Sequence, residues 1–411
     1  MIAHLNHDRS LEIDGVEEAE ANAGVLGDAS ETLAAWTYDN REFFALERDR
    51  LFMRSWQLVC HVSDVAKPGD YATLDMLGER AVVVRGRDDK LRGFVNVCRH
   101  RAARVLAGEK GTCAGRIVCP YHGWNYDLDG KLKAVPAETS FPGLKKCKLG
   151  LVPLDIDVVH GFVFIRFAGG GPGMAETLAP VKDVLDPYKI EQMVPLGPVW
   201  WREIEVDWKN VMDNYLEGYH VPVGHPGLLR LFGSDYPVST YPTGVSHARA
   251  ELRDKESHNW SERAYQNLLP EMTHLPENQR WKWQYVTWFP NASIELYPDQ
   301  VAFFQVIPER PGKCWLRAVS YGLPDDSRAM KAARYVNWRI NEKVQAEDER
   351  LVADVQEGLL SRSYSVGYLS DKEVALRQFH DLIRAHLPVA WSRGAPAPGS
   401  VEAVDRAMAA S

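Results

Sequence analysis

The stretch NVCRHRAARVLAGEKGTCAGRIVCPYHGWNY, residues 96–126, decides the reading of this chain. Cys98 and His100 form a C-x-H pair, and Cys119 and His122 form a C-x-x-H pair. Each pair mixes one thiol with one imidazole. Zinc fingers usually join like ligands, C-x-x-C with H-x-x-x-H. A Rieske [2Fe–2S] cluster instead needs two cysteines on one iron and two histidines on the other. Two loop tips that each deliver one cysteine and one histidine meet that need, so an iron–sulfur cluster is the favoured reading and structural zinc the competing one. Pro120, Gly123 and Gly130 mark tight turns whose backbone amides can face cluster sulfurs, and Trp124 and Tyr126 can shield the cluster from water.

The flanks alternate in the manner of short antiparallel strands. YATLDMLGERAVVVRGRDDKLRGFVNVC (71–98) breaks at GRDDKLRG, RIVCPYHGWNYDLDGKLKAVP (116–136) turns at Asp129-Gly130, and GLVPLDIDVVHGFVFIRFA (150–168) adds two more strands. AGGGPGM (168–174) reads as a linker, since no Lys-Ser/Thr follows to make it a phosphate loop. The expected division is an N-terminal segment 1–47 packing on the catalytic domain, a small β domain 48–168, and a catalytic domain 169–411.

Length and charge bound the rest. At about 100–200 residues per domain, 411 residues allow two or three domains. A net charge of −8 without a basic cluster argues against nucleic acid. No apolar run is long enough to span a membrane. The acidic start MIAHLNHDRSLEIDGVEEAEANAG is not a secretory signal. Six cysteines in 411 residues make no disulfide framework and suit a reducing cytoplasm.

An electron carrier would not need the residues after 168. In VDWKNVMDNYLEGYHVPVGHPGLL (206–229), Trp208, Val211, Met212, Tyr215, Leu216 and Tyr219 follow helical spacing, which places Glu217 and His220 one turn apart on a helix that Pro222 then disturbs. His220 and His225 beside a carboxylate supply two legs of a 2-His-1-carboxylate triad for non-heme Fe(II). RAMKAARYVNWRINEKVQAEDERLVADVQEGLL (328–360) reads as one helix with the stripe Val336, Ile340, Val344, Asp348, Leu351, Val352, Val355. Asp348 stands where an apolar residue is expected, which is costly unless the carboxylate is paired or metal-bound. Glu347, Glu349 and Asp354 fall off the stripe and read as solvated. Between these helices, residues 281–323 read as antiparallel strands turning at Pro290-Asn291, Pro298-Asp299 and Pro311-Gly312. The overall expectation is an α+β fold: a small all-β domain, then an antiparallel sheet covered by helices, of helix-grip type. Trp281, Trp283 and Tyr285 alternate and so share one face, and Trp283, Tyr285, Trp288 and Phe304 are candidate substrate-contacting residues.

The motifs CRH…CPYHGWNY and WK…N…EGYHVPVGH resemble the oxygenase components of Rieske non-heme iron oxygenases. The extra cysteine that respiratory-chain Rieske proteins carry in each loop is missing here. The resemblance implies that Cys98, His100, Cys119 and His122 hold [2Fe–2S]. It implies that His220, His225 and Asp348, the Asp of the Glu347-Asp348 pair, hold mononuclear Fe(II). Glu217 becomes a bridge between the two centres across a subunit boundary rather than a ligand. Glutamate there resembles the branch acting on quaternary ammonium compounds such as carnitine, choline, glycine betaine and proline betaine. Aromatic walls suit such cations through cation–π attraction. The implied reaction takes electrons from NAD(P)H through a separate flavin or ferredoxin-type reductase and hydroxylates an N-methyl group with O2. The carbinolamine then breaks down to formaldehyde and the demethylated amine. A homotrimer is implied. The runner-up is oxygenation of an aromatic substrate, and an electron carrier with a degenerate C-terminal half is a third reading.

Overall fold

The computed structural model describes residues 26–410. Of the segment 1–47, residues 1–25 therefore lie outside the described part. Residues 26–47 pack on the C-terminal half. Tyr38 donates to Asp213 Oδ2 at 2.5 Å, and Glu47 pairs with the buried ammonium of Lys209 at 2.8 Å. Asp207 approaches the same ammonium at 2.8 Å, so Lys209 ties the N-terminal segment to the start of helix Trp208–Tyr215. Asp207 also caps that helix by accepting the Lys209 backbone N–H at 3.0 Å.

A first antiparallel sheet runs in the order Gln57–His61, Phe162–Arg166, Pro153–Val159, Leu91–Val95, Glu79–Arg85, Asp70–Met76, Lys110–Thr112. The stretch 71–98 thus contains two turns. Besides GRDDKLRG, the chain reverses at Leu77-Gly78, both at positive φ. A small three-stranded sheet, Ile117–Val118, Asn125–Tyr126 and Leu132–Ala134, carries the second Cys/His tip.

The C-terminal half is built on a second antiparallel sheet, ordered Val194–Pro195, Lys313–Gly322, Val301–Arg310, Ala292–Leu296, Lys282–Trp288, Val245–Glu251, Val238–Thr240, with Trp200–Ile204 also paired to Lys313–Gly322. Strand parity divides its side chains between two faces. On one face Trp288 meets Phe164 and Phe303 meets Phe162, edge to face at 5.6 and 6.1 Å, so this face packs on the first sheet. Arg317 reinforces the junction by donating to the Leu58 carbonyl at 2.9 Å. The opposite face carries Tyr285, Glu295 and Phe304 and lies under helix Trp208–Tyr215 and the long helix Arg328–Leu359. Ser327 caps the long helix by accepting from Met330 N–H at 3.2 Å.

Candidate active site

The two Cys/His tips are the same turn built twice. In the first, Cys98 N–H donates to the Ala103 carbonyl at 2.7 Å and Ala102 N–H returns to the Cys98 carbonyl at 3.1 Å. In the second, Cys119 N–H donates to the Trp124 carbonyl at 2.8 Å and Gly123 N–H returns to the Cys119 carbonyl at 3.0 Å. The fifth residue of each turn has positive φ, 55° at Ala102 and 70° at Gly123. Glycine meets that demand without cost; Ala102 carries a Cβ there and is held by the turn's own hydrogen bonds.

The tips face each other. His100 Nδ1 and His122 Nδ1 are 3.1 Å apart, and both cysteines are buried. Two nitrogens bound at right angles to one metal by bonds of about 2.1 Å would stand about 3 Å apart, so the histidine pair fits a single iron. Burial raises the Cys98 thiol, the direction that makes a free thiolate unfavourable unless a metal takes it. Tyr126, expected only as a shield, does more. Its hydroxyl lies 3.2 Å from Cys98 Sγ and accepts the Arg99 N–H at 3.0 Å. Trp124 shields as expected, stacked on His100 at 4.8 Å and 8°. Phe141, which carried no signal, adds an edge contact to the same ring.

The second constellation departs locally from the expected helix. Helix Trp208–Tyr215 stops before Glu217, and a new short helix, Val221–Gly224, begins with Pro222 in its first turn, where proline is tolerated. Glu217 and His220 therefore share a turn rather than a helix, and Tyr219 is exposed instead of continuing the apolar stripe. One oxygen of Glu217 accepts the backbone N–H groups of Tyr219 and of His220, the latter at 3.1 Å; the other takes the His220 Nδ1 proton in a short hydrogen bond.

Opposite this turn, the long helix presents Asp348. His220 Nε2 and His225 Nε2 are 3.0 Å apart, and Asp348 Oδ1 stands 2.9 Å from His225 Nε2 and 3.6 Å from His220 Nε2. Three donors in a triangle of this size suit one face of an octahedral ion, for the same right-angle reason as above. Burial works against a charged His220, but the hydrogen bonds to Asp348 and Glu217 outweigh it and push its pKa up to about 9. Burial likewise raises Asp348, and the two imidazoles overcome that and hold it below the usual carboxylate range. The cluster thus stores protons that a bound cation would displace.

The periodic reading of the long helix needs three corrections. Glu347 is not solvated: its Oε2 lies 2.9 Å from His225 Nδ1. Adjacent helix residues project about 100° apart, so Glu347 and Asp348 reach His225 on its two nitrogens. Glu349 pairs with Arg202 at 2.6 Å. Val355, placed on the stripe, is 50% exposed. Asp354 is exposed as expected.

Of the four candidate substrate-contacting residues, two are core. Trp283 is fully buried, with its indole N–H 3.1 Å from the Tyr265 hydroxyl, and Trp288 faces the first sheet. Trp281 precedes the strand and is exposed, so it does not share the face of Trp283 and Tyr285. Tyr285 stays half-buried on the helix-covered face, edge-on to Tyr297 at 6.4 Å. Phe304 stacks on Tyr215 at 5.0 Å, and Tyr215 meets Tyr285 edge-on at 6.2 Å.

Residues 55–148 match the Rieske [2Fe-2S] domain family, and residues 190–388 match the ring hydroxylating alpha subunit (catalytic domain) family. The carnitine monooxygenase oxygenase subunit of Escherichia coli (strain K12) is 30% identical over 337 residues, 81% of this chain and 85% of that protein. The chain belongs to the Rieske oxygenase alpha-subunit family. Rieske oxygenases of this kind carry a [2Fe–2S] cluster in one domain and a mononuclear iron in the other. Choline monooxygenase of Atriplex hortensis is 28% identical over 361 residues, 86% of this chain and 77% of that protein. The fold matches that of the quaternary ammonium Rieske monooxygenase CntA solved with L-carnitine, at a TM-score of 0.73 and 24% identity over 87% of this chain and 97% of that one. It also matches naphthalene 1,2-dioxygenase with indole, at 0.71 and 20% over 94% and 97%.

In this oxygenase Glu347 orients His225 through Nδ1, a role whose loss in other metal sites costs about 10–100-fold in metal affinity. Glu347→Gln is accordingly expected to lose mononuclear iron about tenfold faster on dialysis against a chelator, with the visible spectrum unchanged. Iron retention equal to wild type would assign Glu347 to surface charge alone.

Proposed function

We propose that this oxygenase hydroxylates an N-methyl group of a quaternary ammonium compound, with loss of formaldehyde from the carbinolamine. Cys98, His100, Cys119 and His122 would hold the cluster, and His220, His225 and Asp348 the iron. When bound, the cluster supplies single electrons and the iron activates O2. The observation that carries the substrate class is the wall beside the three donors. Tyr215, Tyr285 and Phe304 gather their aromatic rings on the sheet face covered by the long helix that carries Asp348. A cation that can donate no hydrogen bond is held by such rings at roughly 0.5–2 kcal/mol each. The names of the matched relatives, carnitine and choline monooxygenases, support the same class.

The chain's residues do the rest. Glu217 and Glu347 hold the imidazoles by Nδ1 so that both Nε2 atoms face one point. The electrons would come from a separate NAD(P)H-dependent reductase in the same cytoplasm. Among the described residues, no helix is long and apolar enough to cross a membrane.

Single turnover of chemically reduced enzyme tests the reading without the reductase. Proline betaine, glycine betaine, carnitine, choline and aromatic acids are supplied with O2, and formaldehyde is measured. One quaternary ammonium compound is expected to yield formaldehyde in proportion to the iron present. A hydroxylated aromatic acid with no formaldehyde from any cation would establish the ring-oxygenating alternative.

The remaining cysteines are expected to be bystanders. Cys60, Cys113, Cys147 and Cys314 are free thiols, and none of them lies on either tip. Each replaced singly by alanine should leave the brown colour and the Rieske EPR signal intact. A colourless, zinc-loaded wild-type protein from anaerobic preparation would instead restore the zinc reading.

A further inference from the structure

Glu295 is a deep-set carboxylate with no basic partner. Its Oε1 accepts the Tyr215 hydroxyl at 2.8 Å and its Oε2 accepts the Tyr297 hydroxyl at 2.8 Å. Among the described residues, no lysine, arginine or histidine forms an ion pair with it. A carboxylate kept from water in this way is expensive unless a cation joins it. Burial accordingly raises its pKa, and the two phenol hydrogen bonds offset part of that rise.

The register leaves room over it. Across the sheet, Ala248 stands opposite Tyr285, Tyr285 opposite Glu295, Glu295 opposite Ala302, and Ala302 opposite Ser320. The row is therefore small on both sides of the Tyr285–Glu295 pair, and Glu295 keeps partial exposure despite its depth. Rings surround the space: Tyr285 lies 6.2 Å from Tyr215 and 6.4 Å from Tyr297.

The long helix sets the distance to the donors. The Tyr297 hydroxyl also lies 3.4 Å from Asn341 Oδ1, and Asn341 precedes Asp348 by two helical turns on one side of the helix. At 1.5 Å per residue, Asn341 and Asp348 stand roughly 10 Å apart along the helix axis, so the same helix touches the Tyr297 hydroxyl at one point and supplies the donor carboxylate two turns on. A trimethylammonium group between Glu295 and the donor triangle could touch Glu295 and the rings while one methyl points at the donors.

We propose that Glu295, framed by Tyr215, Tyr285 and Tyr297, is the anion that makes this site select a cation over a neutral molecule of the same shape. The proposal rests on the quaternary ammonium reading and names the residue that enforces it. Glu295 is a positioning and specificity residue. It moves no proton in the reaction.

Two matched pairs of probes separate the charge of the trimethyl head from its shape: choline with 3,3-dimethylbutan-1-ol, and glycine betaine with 3,3-dimethylbutanoate; in each neutral-headed twin a tert-butyl group replaces the trimethylammonium group and the rest is unchanged. Binding is measured by calorimetry on anaerobic holoenzyme. In wild type, at least one cation is expected to bind tenfold or more tighter than its neutral-headed twin. In Glu295→Gln, that ratio should fall to within about threefold of unity. The neutral-headed twin should bind as before, and the cluster spectrum and iron content should match wild type. An unchanged ratio in E295Q, or a wild type that prefers neither member of either pair, overturns the proposal. If no quaternary ammonium compound yields formaldehyde in single turnover, the broader reading fails, and that outcome is distinct from cations that are demethylated yet not selected by Glu295. Should E295Q not fold, Tyr297→Phe carries the test, since it keeps the ring and removes one donor to the carboxylate. Its preference for the cation over the neutral-headed twin should fall severalfold below wild type at fixed pH; an unchanged ratio overturns the proposal.

Discussion

Asp348→Ala is expected to abolish turnover and strip the mononuclear iron, leaving the visible and EPR spectra of the cluster as in wild type. Asp348 Oδ1 is the one carboxylate oxygen close to both imidazole Nε2 atoms, and these three side chains form the one mononuclear donor group of this kind among the described residues. Removing it leaves two neutral imidazoles on one side of the ion and no charge to offset it. The long helix itself should persist, because its packing rests on Met330, Ala333, Val336, Ile340 and Val352 rather than on Asp348. Asp354→Ala, about 1.7 turns further on and exposed, should retain wild-type iron and activity. Full iron in the Asp348 variant, with loss in the Asp354 variant, would show that the helix is rotated from the orientation described.

The second large effect is expected at Glu217. In Glu217→Gln both metals should stay, and substrate affinity should change little, because glutamine can still accept from His220 Nδ1. Electron transfer from the reduced cluster to the mononuclear iron should slow by a hundredfold or more, and product formation should fall with it. The reasoning is one of donor and acceptor count. Glu217 uses one oxygen on the backbone of its own turn, while the other meets His220 Nδ1 and has a lone pair to spare. His122 turns Nδ1 toward His100 Nδ1, where one iron would take both, and its Nε2 makes no hydrogen bond among the described residues. A carboxylate accepting from His220 and from His122 of the partner subunit would join the two centres through hydrogen bonds; an amide in its place has one acceptor oxygen for the two imidazole protons and the two backbone N–H groups, and its NH2 repels whichever of them it faces. The extra methylene of glutamate over aspartate lengthens that reach. Single-turnover oxidation of the reduced cluster reads the rate directly. Loss of iron would make Glu217 a ligand, and an undiminished rate would remove it from the electron path.

The parts of the site that were legible in the sequence are those whose signals are local. C-x-H and C-x-x-H speak for themselves because the two tips are self-contained turns, each closed by hydrogen bonds within six residues. His220 and His225 point to a metal only together with the Rieske motif upstream, since two histidines five apart are common without one. Asp348 stands out because helical periodicity predicts an apolar neighbour there, and the helix runs Arg328–Leu359, close to the 328–360 expected. The turns at residues 289–291, 297–300 and 311–312 fall at the three expected proline positions.

The rest depended on contacts that no local pattern encodes. Glu347 meets His225 across 122 residues, and Tyr215 meets Glu295 across 80. Periodicity assigned Glu347 to water because it reports only the angle around the helix axis, not which neighbouring loop lies along that angle. Trp283, Tyr285 and Trp288 looked alike as strand aromatics; Trp288 faces the first sheet, whereas Trp283 and Tyr285 share the opposite face, where Tyr265 and Phe232 enclose Trp283 and Tyr285 stays half-buried. By itself, then, the sequence pointed to the candidate donors, their grouping into two centres and the elements that carry them, since short-range spacing and the family motifs suffice for those. The brace on His225, the two phenol bonds to Glu295 and the division of the aromatic residues between the two sheet faces were decided only by tertiary packing, because strand register and helix docking are set by the burial of the whole chain rather than by any one segment.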